Sequence, residues 1–210
     1  MQGVRIMFLG CGFLTTHLLP VLLPHATKII LVDRERVEKE NYENSIYPKE
    51  YIGRRKVSAV AAFIQLLSSI PVTPMPINIR KVEQLMEIHD KYKPEFVFVT
   101  FDNIESRIIA RDYALKVGVP ALFIGVTEDY VYIDWATHVI LPEKEEEKER
   151  VKKEMKIIRD VCSRIEFRGL GVIAAAYGYY AFKRYIQYRE KNAFIISAKN
   201  GISACLLKRP

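Results

Sequence analysis

The feature that most constrains the fold is a regular alternation of short apolar runs, rich in β-branched residues, with longer segments of helical periodicity. Such an alternation is typical of βαβ units, in which helices cover the faces of a parallel sheet. It predicts strands at Val4–Leu9, Lys28–Val32, Val72–Ile79, Glu95–Val99, Ala121–Gly125 and Tyr130–Trp135, and helices at Leu14–Leu23, Lys56–Ser68, Val82–Tyr92 and Ile104–Val117. The sequence therefore predicts an α/β fold with a mostly parallel sheet flanked by helices.

The last third of the chain predicts a different arrangement. A long helix at Leu170–Tyr188 is followed by strands at Ala193–Ser197 and Ile202–Leu207. These strands flank the turn sequence Lys199-Asn200-Gly201 and predict a β-hairpin. The segment Glu143–Lys156 is nearly all charged and predicts a solvated helix or a mobile crossover. We expect one domain over 1–210, with a core at 1–140, a charged crossover at 141–168 and a closing helix and hairpin at 169–210.

Composition narrows the function classes. The 210 residues carry a net charge of +7, but Lys and Arg are spread along the chain without a nucleic-acid-binding motif, so nucleic acid is disfavoured as the main ligand. The three cysteines lie far apart and form neither a disulfide framework nor a zinc pattern. There is no signal-peptide pattern, and the longest uncharged apolar stretch, Gly169–Phe182, is too short to span a bilayer. We expect a cytoplasmic protein without a membrane partner.

A glycine loop follows the first predicted strand. Gly10-Cys11-Gly12 leads directly into a helix, where glycines let the backbone approach a phosphate and free N–H groups attract anions. This is the nucleotide-binding turn of a Rossmann-like fold. Thr15 stands in place of the third glycine of that motif, and a tight turn that serves packing alone would have a similar sequence.

An acidic residue closes the second predicted strand. A carboxylate at the position of Asp33 can hold the ribose hydroxyls of either NAD or ATP. The alternative is that Asp33 caps the turn that follows the strand.

Two further charged residues along the chain are candidates for the same site. Lys56 begins a helix, where a cation opposes the helix dipole unless it faces bound phosphates; the alternative is that it is exposed to solvent. Asp102 ends the fourth strand, at the sheet edge where such folds bind ligands, and a carboxylate there is a natural Mg²⁺ ligand. The alternative is that Asp102-Asn103 only caps the next helix.

The order of these elements resembles the ThiF/MoeB/HesA family, relatives of the ubiquitin-activating enzymes. The resemblance rests on the glycine loop, the Asp-x-Glu-x-Val-x-x-x-Asn pattern from Asp33 to Asn41, the Gly-x-x-Lys pattern from Gly53 to Lys56, and Asp102-Asn103 with Arg107. The predicted closing helix and hairpin also resemble the last elements of the family.

The resemblance implies that the protein binds ATP and Mg²⁺ and adenylates the C-terminal glycine of a small ubiquitin-like or sulfur-carrier protein. It implies that Asp33 holds the ribose, that Asn41 and Lys56 reach the phosphates, and that Asp102 ligates the metal. It further implies contacts of the nucleotide with Gly10 and Gly12, and a homodimer.

The sequence departs from the family pattern at the predicted phosphate site. Asn44 stands where the family has an arginine, which removes a fixed positive charge from the cofactor-binding residues; Arg54 or Arg55 is a candidate replacement. The family's N-terminal arginine extension and its paired zinc cysteines have no counterpart in this sequence. Cys162 lies near the family's thioester- or persulfide-forming cysteine and is a candidate catalytic residue beside Lys56 and Asp102, although most free cysteines only pack.

Three hypotheses follow. The first is an ATP-binding ThiF-like adenylyltransferase. The second is a nucleotide-binding partner subunit that has lost catalysis, which the residue at position 44 favours. The third is an NAD(P)-dependent oxidoreductase, which accounts for the glycine loop and Asp33 but leaves Asn41, Lys56 and Asp102 without roles.

Overall fold

A computed structural model describes residues 3–151, 164–199 and 201–208 of the chain. The strands are β1 (Val4–Leu9), β2 (Ala26–Val32), β3 (Val72–Met75), β4 (Phe96–Val99), β5 (Ala121–Val126), β6 (Tyr130–Trp135), β7 (Asn192–Ser197) and β8 (Ser203–Lys208). The helices are α1 (Phe13–Leu22), α2 (Lys39–Asn44), α3 (Lys56–Leu67), α4 (Val82–Tyr92), α5 (Ile104–Val117) and α6 (Arg168–Tyr188). Residues 145–151 are also helical.

All of these strands lie in one sheet, in the order β3-β2-β1-β4-β5-β6-β7-β8. The strands from β3 to β5 pair in parallel, whereas β6, β7 and β8 continue the sheet with antiparallel pairs. The predicted α/β, Rossmann-like fold with a closing helix and hairpin is thus confirmed. The parallel order brings the carboxyl ends of β2, β1, β4 and β5 to one edge of the sheet, and the candidate site lies there.

Helices cover both faces of the parallel half of the sheet. α1, α3 and α6 contribute to one apolar core, in which Phe98, Trp135 and Phe182 are fully buried. α4 and α5 contribute to the second core on the opposite face, around Phe123 and Tyr113. Among the described helices, none combines the length and the hydrophobicity that a membrane crossing requires.

The edge strand β3 is shorter than predicted. It ends at Met75 instead of Ile79, because Pro76 has no N–H for a further ladder bond and the N–H of Ile77 turns back to the Met75 carbonyl at 2.9 Å. β3 lies at the edge of the sheet, a position that tolerates Pro74 because proline interrupts the hydrogen-bond ladder.

The segment between β2 and α3 contains regular structure. Arg36 and Arg55 form an isolated antiparallel bridge, and the N–H of Val37 donates to the Arg54 carbonyl at 2.8 Å. Between these two short extended pieces lie α2 and a 3₁₀ turn at Lys49–Tyr51. This pairing returns the chain to the end of β2 and fixes where α3 begins.

Candidate functional site

The first turn after β1 is held tightly against the end of β4. Gly10 has a φ of +105°, and a Cβ atom there would lie 2.7 Å from Oγ1 of Thr100. Thr15 donates from its hydroxyl to the Gly10 carbonyl at 2.7 Å, and its Oγ1 lies 2.8 Å from Oγ1 of Thr100. Thr15, which replaces the third glycine of the motif, therefore locks the glycine loop in place, and packing alone requires Gly10.

Gly12 has no such explanation. Its φ of −92° is accessible to any residue, and a Cβ atom there would meet no heavy atom within 4 Å. Gly12 is the N-cap residue of α1, and no side chain caps this helix end or places a carboxylate in its first turn. The loop thus leaves open space beside the positive end of a helix dipole, which is the arrangement that binds phosphate groups.

Asp33 at the end of β2 connects to the same loop. One carboxylate oxygen accepts the N–H of Cys11 at 2.8 Å, and the other accepts the N–H of Glu35 at 2.7 Å. The second bond is the turn cap that sequence reasoning kept as an alternative to ribose binding. Each oxygen keeps a second lone pair for a ligand hydroxyl. Burial raises the pKa of Asp33, while the charge of Lys56 and the two backbone N–H groups oppose this rise.

Cys11, between the two glycines, is hydrogen-bonded through both its backbone N–H and its carbonyl. Besides the bond from its N–H to Asp33, the Cys11 carbonyl accepts a hydrogen bond from the Tyr47 hydroxyl. Burial raises the pKa of the Cys11 thiol well above its ordinary value, and the charge of Asp33 adds to this effect. The thiol is therefore neutral at physiological pH.

Lys56 is buried, with a relative exposure of 7%, so the alternative of a solvent-exposed lysine is wrong. Its backbone N–H donates to the Glu35 carbonyl at 2.9 Å, and its Nζ donates to Oε2 of Glu35 at 2.7 Å. Burial lowers the pKa of Lys56, but the charges of Asp33, Glu35 and Asp102 outweigh this effect, and the pKa lies above its ordinary value. A fixed positive charge therefore stands between the ends of β2 and β4.

The two arginines that precede Lys56 are engaged away from this ammonium. The guanidinium of Arg54 stacks over the Tyr51 ring at 4.6 Å from its centroid. Arg55 donates from Nη1 to the Arg34 carbonyl at 2.6 Å. Both side chains are exposed. In this arrangement neither Arg54 nor Arg55 takes the place of the phosphate-site arginine that Asn44 replaces.

At the end of β4, the helix cap and the candidate metal ligand are two different residues. Asn103 is the N-cap of α5, and its side chain accepts the N–H of Ser106 at 2.8 Å. The cap therefore belongs to Asn103, while the negative charge of Asp102 acts on Lys56. Arg107, one turn into α5, donates to the carbonyl of Phe101, which directly precedes Asp102, at 2.6 Å.

Three of the predicted site residues are described in part or not at all. Asn41 and Asn44 lie on α2, and only their backbone is described. Cys162 lies outside the described residues. The roles proposed for these three residues stay predictions.

Sequence reasoning did not predict the contacts that Glu35, Thr15 and Thr100 make in this site. A signal for Glu35 was present, because this second carboxylate stands two residues after Asp33, directly after a predicted strand. The two threonines gave no signal, because their contact joins positions that only the sheet order brings together.

The arrangement suits a nucleotide with a divalent cation. Three carboxylates, those of Asp33, Glu35 and Asp102, act on a single ammonium, and this excess of negative charge favours a cation. Within the described residues, no cluster of three His, Cys, Asp or Glu side chains forms a metal cage. One carboxylate suffices for Mg²⁺ when substrate phosphates supply other ligands, so the side chains present fit a magnesium–nucleotide complex.

Comparisons with known proteins give one family profile and several solved structures of similar fold. The sequence profile of the ThiF family matches residues 2–191. E. coli MccB with ATP is 19% identical, with a TM-score of 0.74 over 99% of this chain and 64% of that chain. MccB in complex with N-formylated MccA is 18% identical, with a TM-score of 0.75 over 98% and 64%. PaaA is 14% identical, with a TM-score of 0.68 over 98% and 64%.

The TM-scores show a shared fold, and this chain spans 64% of the length of each of the three structures. No curated protein matches the sequence.

Proposed function

This chain belongs to the ThiF family, and we propose that it binds ATP with Mg²⁺ and adenylates the C-terminal carboxylate of a small ubiquitin-like or sulfur-carrier protein. The observation that carries the nucleotide site is the contrast between its two loop glycines. Packing explains Gly10, whereas Gly12 faces open space at an uncapped helix end. Of the structural relatives, MccB has been solved with ATP and also with N-formylated MccA, which supports a nucleotide and a small partner for this chain too.

The reaction needs one bond to form and one to break. A carboxylate oxygen of the partner attacks the α-phosphorus of ATP, and the bond from that phosphorus to the oxygen bridging the β-phosphate breaks. The products are an acyl-adenylate and pyrophosphate, and no proton has to move because the attacking carboxylate is ionised. Such a step depends on positioning and on charge neutralisation.

Different residues of the candidate site perform these two tasks. Gly12 and the N–H groups of the first turn of α1 approach the phosphates, and Asp33 accepts from the ribose hydroxyls. Lys56, held by Glu35, neutralises phosphate charge. Asp102 holds Mg²⁺, which when bound supplies positive charge to the phosphate oxygens. Contacts of Asn41 and Asn44 with the nucleotide, a reactive Cys162 and a two-fold homodimer stay predictions.

A second candidate function is a nucleotide-binding partner subunit with weakened chemistry. The engagement of Arg54 and Arg55 away from Lys56 favours it, because neither replaces the arginine that Asn44 removes. Losing one preorganised donor costs about 10²–10³ in the rate of such reactions.

The exchange of labelled pyrophosphate into ATP, measured with candidate partners that end in Gly-Gly, tests both candidates. We expect ATP binding with slow exchange in the wild type, and a rise of about 10²-fold in Asn44→Arg, since this variant restores one donor. Gln65→Arg adds the same charge at an exposed position of α3 and controls for net charge. Brisk exchange by the wild type would overturn the degenerate-subunit candidate, whereas silence of both proteins with every partner would overturn the enzymatic one.

A further inference from the structure

Arg107 is a buried cation beside the proposed magnesium ligand. Its relative exposure is 3%, and it links two strand ends of the parallel sheet. Nε donates to the Phe101 carbonyl after β4, and Nη2 donates to the Ile124 carbonyl in β5, both at 2.6 Å. A guanidinium has no neutral form at physiological pH, so the positive charge stays in place despite its burial.

The hydrogen-bonding capacity of this guanidinium is not exhausted. Nη1 is buried and finds no acceptor among the described residues. Its two bonded partners are neutral carbonyls, and Arg107 takes part in none of the ion pairs within 4.0 Å that the described residues form. A buried donor without an acceptor is costly, so the fold retains a donor that an incoming anion would satisfy.

An aromatic ring lies against this cation. The Tyr132 ring centroid lies 5.5 Å from Cζ of Arg107, and the ring fills the space where a side chain at position 125 would stand. A Cβ atom on Gly125 would lie 2.2 Å from this ring, so the glycine is required for the ring to lie there. Tyr132 is only partly buried, so its ring has a solvent-accessible part and room to turn outward.

The sheet order sets where this cation stands relative to the nucleotide. The glycine loop follows β1, Asp102 follows β4, and the Ile124 contact lies on β5, in the sequence β1-β4-β5 across the sheet. Neighbouring strands are about 4.8 Å apart, so β5 lies about 10 Å from β1 at this edge. Phosphates over β1 and a metal over β4 therefore leave the next position, over β5, for the group that attacks the α-phosphorus.

We propose that Arg107 binds the terminal carboxylate of the partner protein through Nη1, and that the Tyr132 ring turns aside to admit it. This inference rests on the proposed function, because the adenylation reaction supplies the carboxylate. The arrangement gives Arg107 two tasks. It fixes the backbone in front of Asp102, and it holds the attacking group next to the metal.

A phosphate is the other anion that the same donor accepts. The glycine loop and Lys56 already offer a phosphate site at β1 and β2, and Arg107 lies on the far side of Asp102 from both. With two of its three nitrogens committed to carbonyls, the guanidinium has a single nitrogen left, which suits one oxygen of a carboxylate. We therefore assign the site to a carboxylate.

Nuclear magnetic resonance on protein with ¹⁵N-labelled arginine tests the assignment, in the presence of Mg²⁺ and α,β-methylene ATP. The probes are N-acetyl-glycylglycine, its C-terminal amide and inorganic pyrophosphate. The Nε–H signal of Arg107 is identified by its loss in Arg107→Gln, or in Arg107→Lys if the first variant does not fold. We expect the acid to shift this signal and to bind about tenfold or more tightly than the amide, since a charge-assisted hydrogen bond is the stronger one.

Three results would overturn the inference: no shift with the acid, equal affinity for acid and amide, or a shift with pyrophosphate alone. In a folded Arg107→Gln variant the preference for the acid should fall to about one, whereas an unchanged preference would place the carboxylate elsewhere. Calorimetry with ATP on the same sample separates the two proposals. ATP binding without a response of Arg107 contradicts only this inference, whereas a response of Arg107 without ATP binding supports the carboxylate site and contradicts the proposed function.

Discussion

The Nζ atom of Lys56 lies 2.7 Å from Oε2 of Glu35, and the backbone N–H of the same lysine donates to the carbonyl of the same glutamate at 2.9 Å. This double connection joins the segment after β2 to the first residue of α3. It turns a lysine at a helix N-terminus, where the dipole disfavours it, into a fixed cation of the crevice.

Lys56→Met removes this cation while keeping most of its volume. We expect the free energy of unfolding to fall by about 2 kcal/mol, less than for a fully buried pair because the Glu35 side chain is 35% exposed. Urea unfolding measures the loss. Lys183→Met, at an exposed position of α6, is the control and should change stability by less than about 0.5 kcal/mol.

The loss should depend on pH with a definite sign. The pKa of Lys56 is raised in the folded protein, so its contribution is fully present below the ordinary value of 10.5 and is lost as the pH rises through the folded pKa. The difference between wild type and Lys56→Met should therefore shrink only above about pH 10.5. A difference that is already small at about pH 8 would mean that the ammonium does not stabilise the fold.

The two glycines of the loop should respond oppositely to alanine. Gly10→Ala combines an unfavourable φ of +105° with a Cβ 2.7 Å from Thr100, and should cost about 3 kcal/mol of stability or more. Gly12→Ala should change stability by less than about 1 kcal/mol, because its added methyl group enters open space, yet weaken ATP binding by about tenfold or more.

Thermal unfolding and ATP calorimetry on both variants check this contrast. A Gly12→Ala protein that binds ATP as tightly as the wild type would show that the nucleotide does not approach this side of the loop.

Asp102 and Asn103 offer a second matched pair. Asp102→Asn should weaken ATP binding in Mg²⁺ far more than in EDTA, because it removes a charged magnesium ligand. Asn103→Ala removes the cap bond to Ser106 and should cost about 1 kcal/mol of stability while leaving the effect of Mg²⁺ on ATP binding intact. Equal ATP affinity of wild type and Asp102→Asn in Mg²⁺ would refute the ligand role.

Local signals predicted much of the fold. β1, α4, α5 and β6 have the predicted bounds. Caps, glycines and prolines mark the ends of the first three, such as Gly10 after β1 and Pro94 after α4. In α5, Asn103 caps the start of the helix and Gly118 caps its end. The short helix α2 was not predicted, since a helix of this length has little periodicity of its own and its neighbours stabilise it.

The candidate site was predicted less completely than the fold. Positions at strand ends, such as Asp33 and Asp102, follow from the rule that parallel strands direct their carboxyl ends to one edge. The burial of Lys56 and the directions of Arg54 and Arg55 depend on the bridge between residues 36 and 55, which joins distant parts of the chain. No local pattern encodes that bridge, so the positions of these three cations could not be predicted from the sequence.

The identity of the nucleotide tests the central claim most directly. Isothermal calorimetry with ATP and Mg²⁺, and separately with NAD, compares the two ligands that a glycine loop followed by an acidic strand end accommodates. We expect ATP with Mg²⁺ to bind at least about tenfold more tightly than NAD, a difference of roughly 1.4 kcal/mol, because Lys56 and Asp102 serve phosphates and a metal. Tighter binding of NAD, or no binding of ATP, would contradict the assignment of this crevice to an adenylating site.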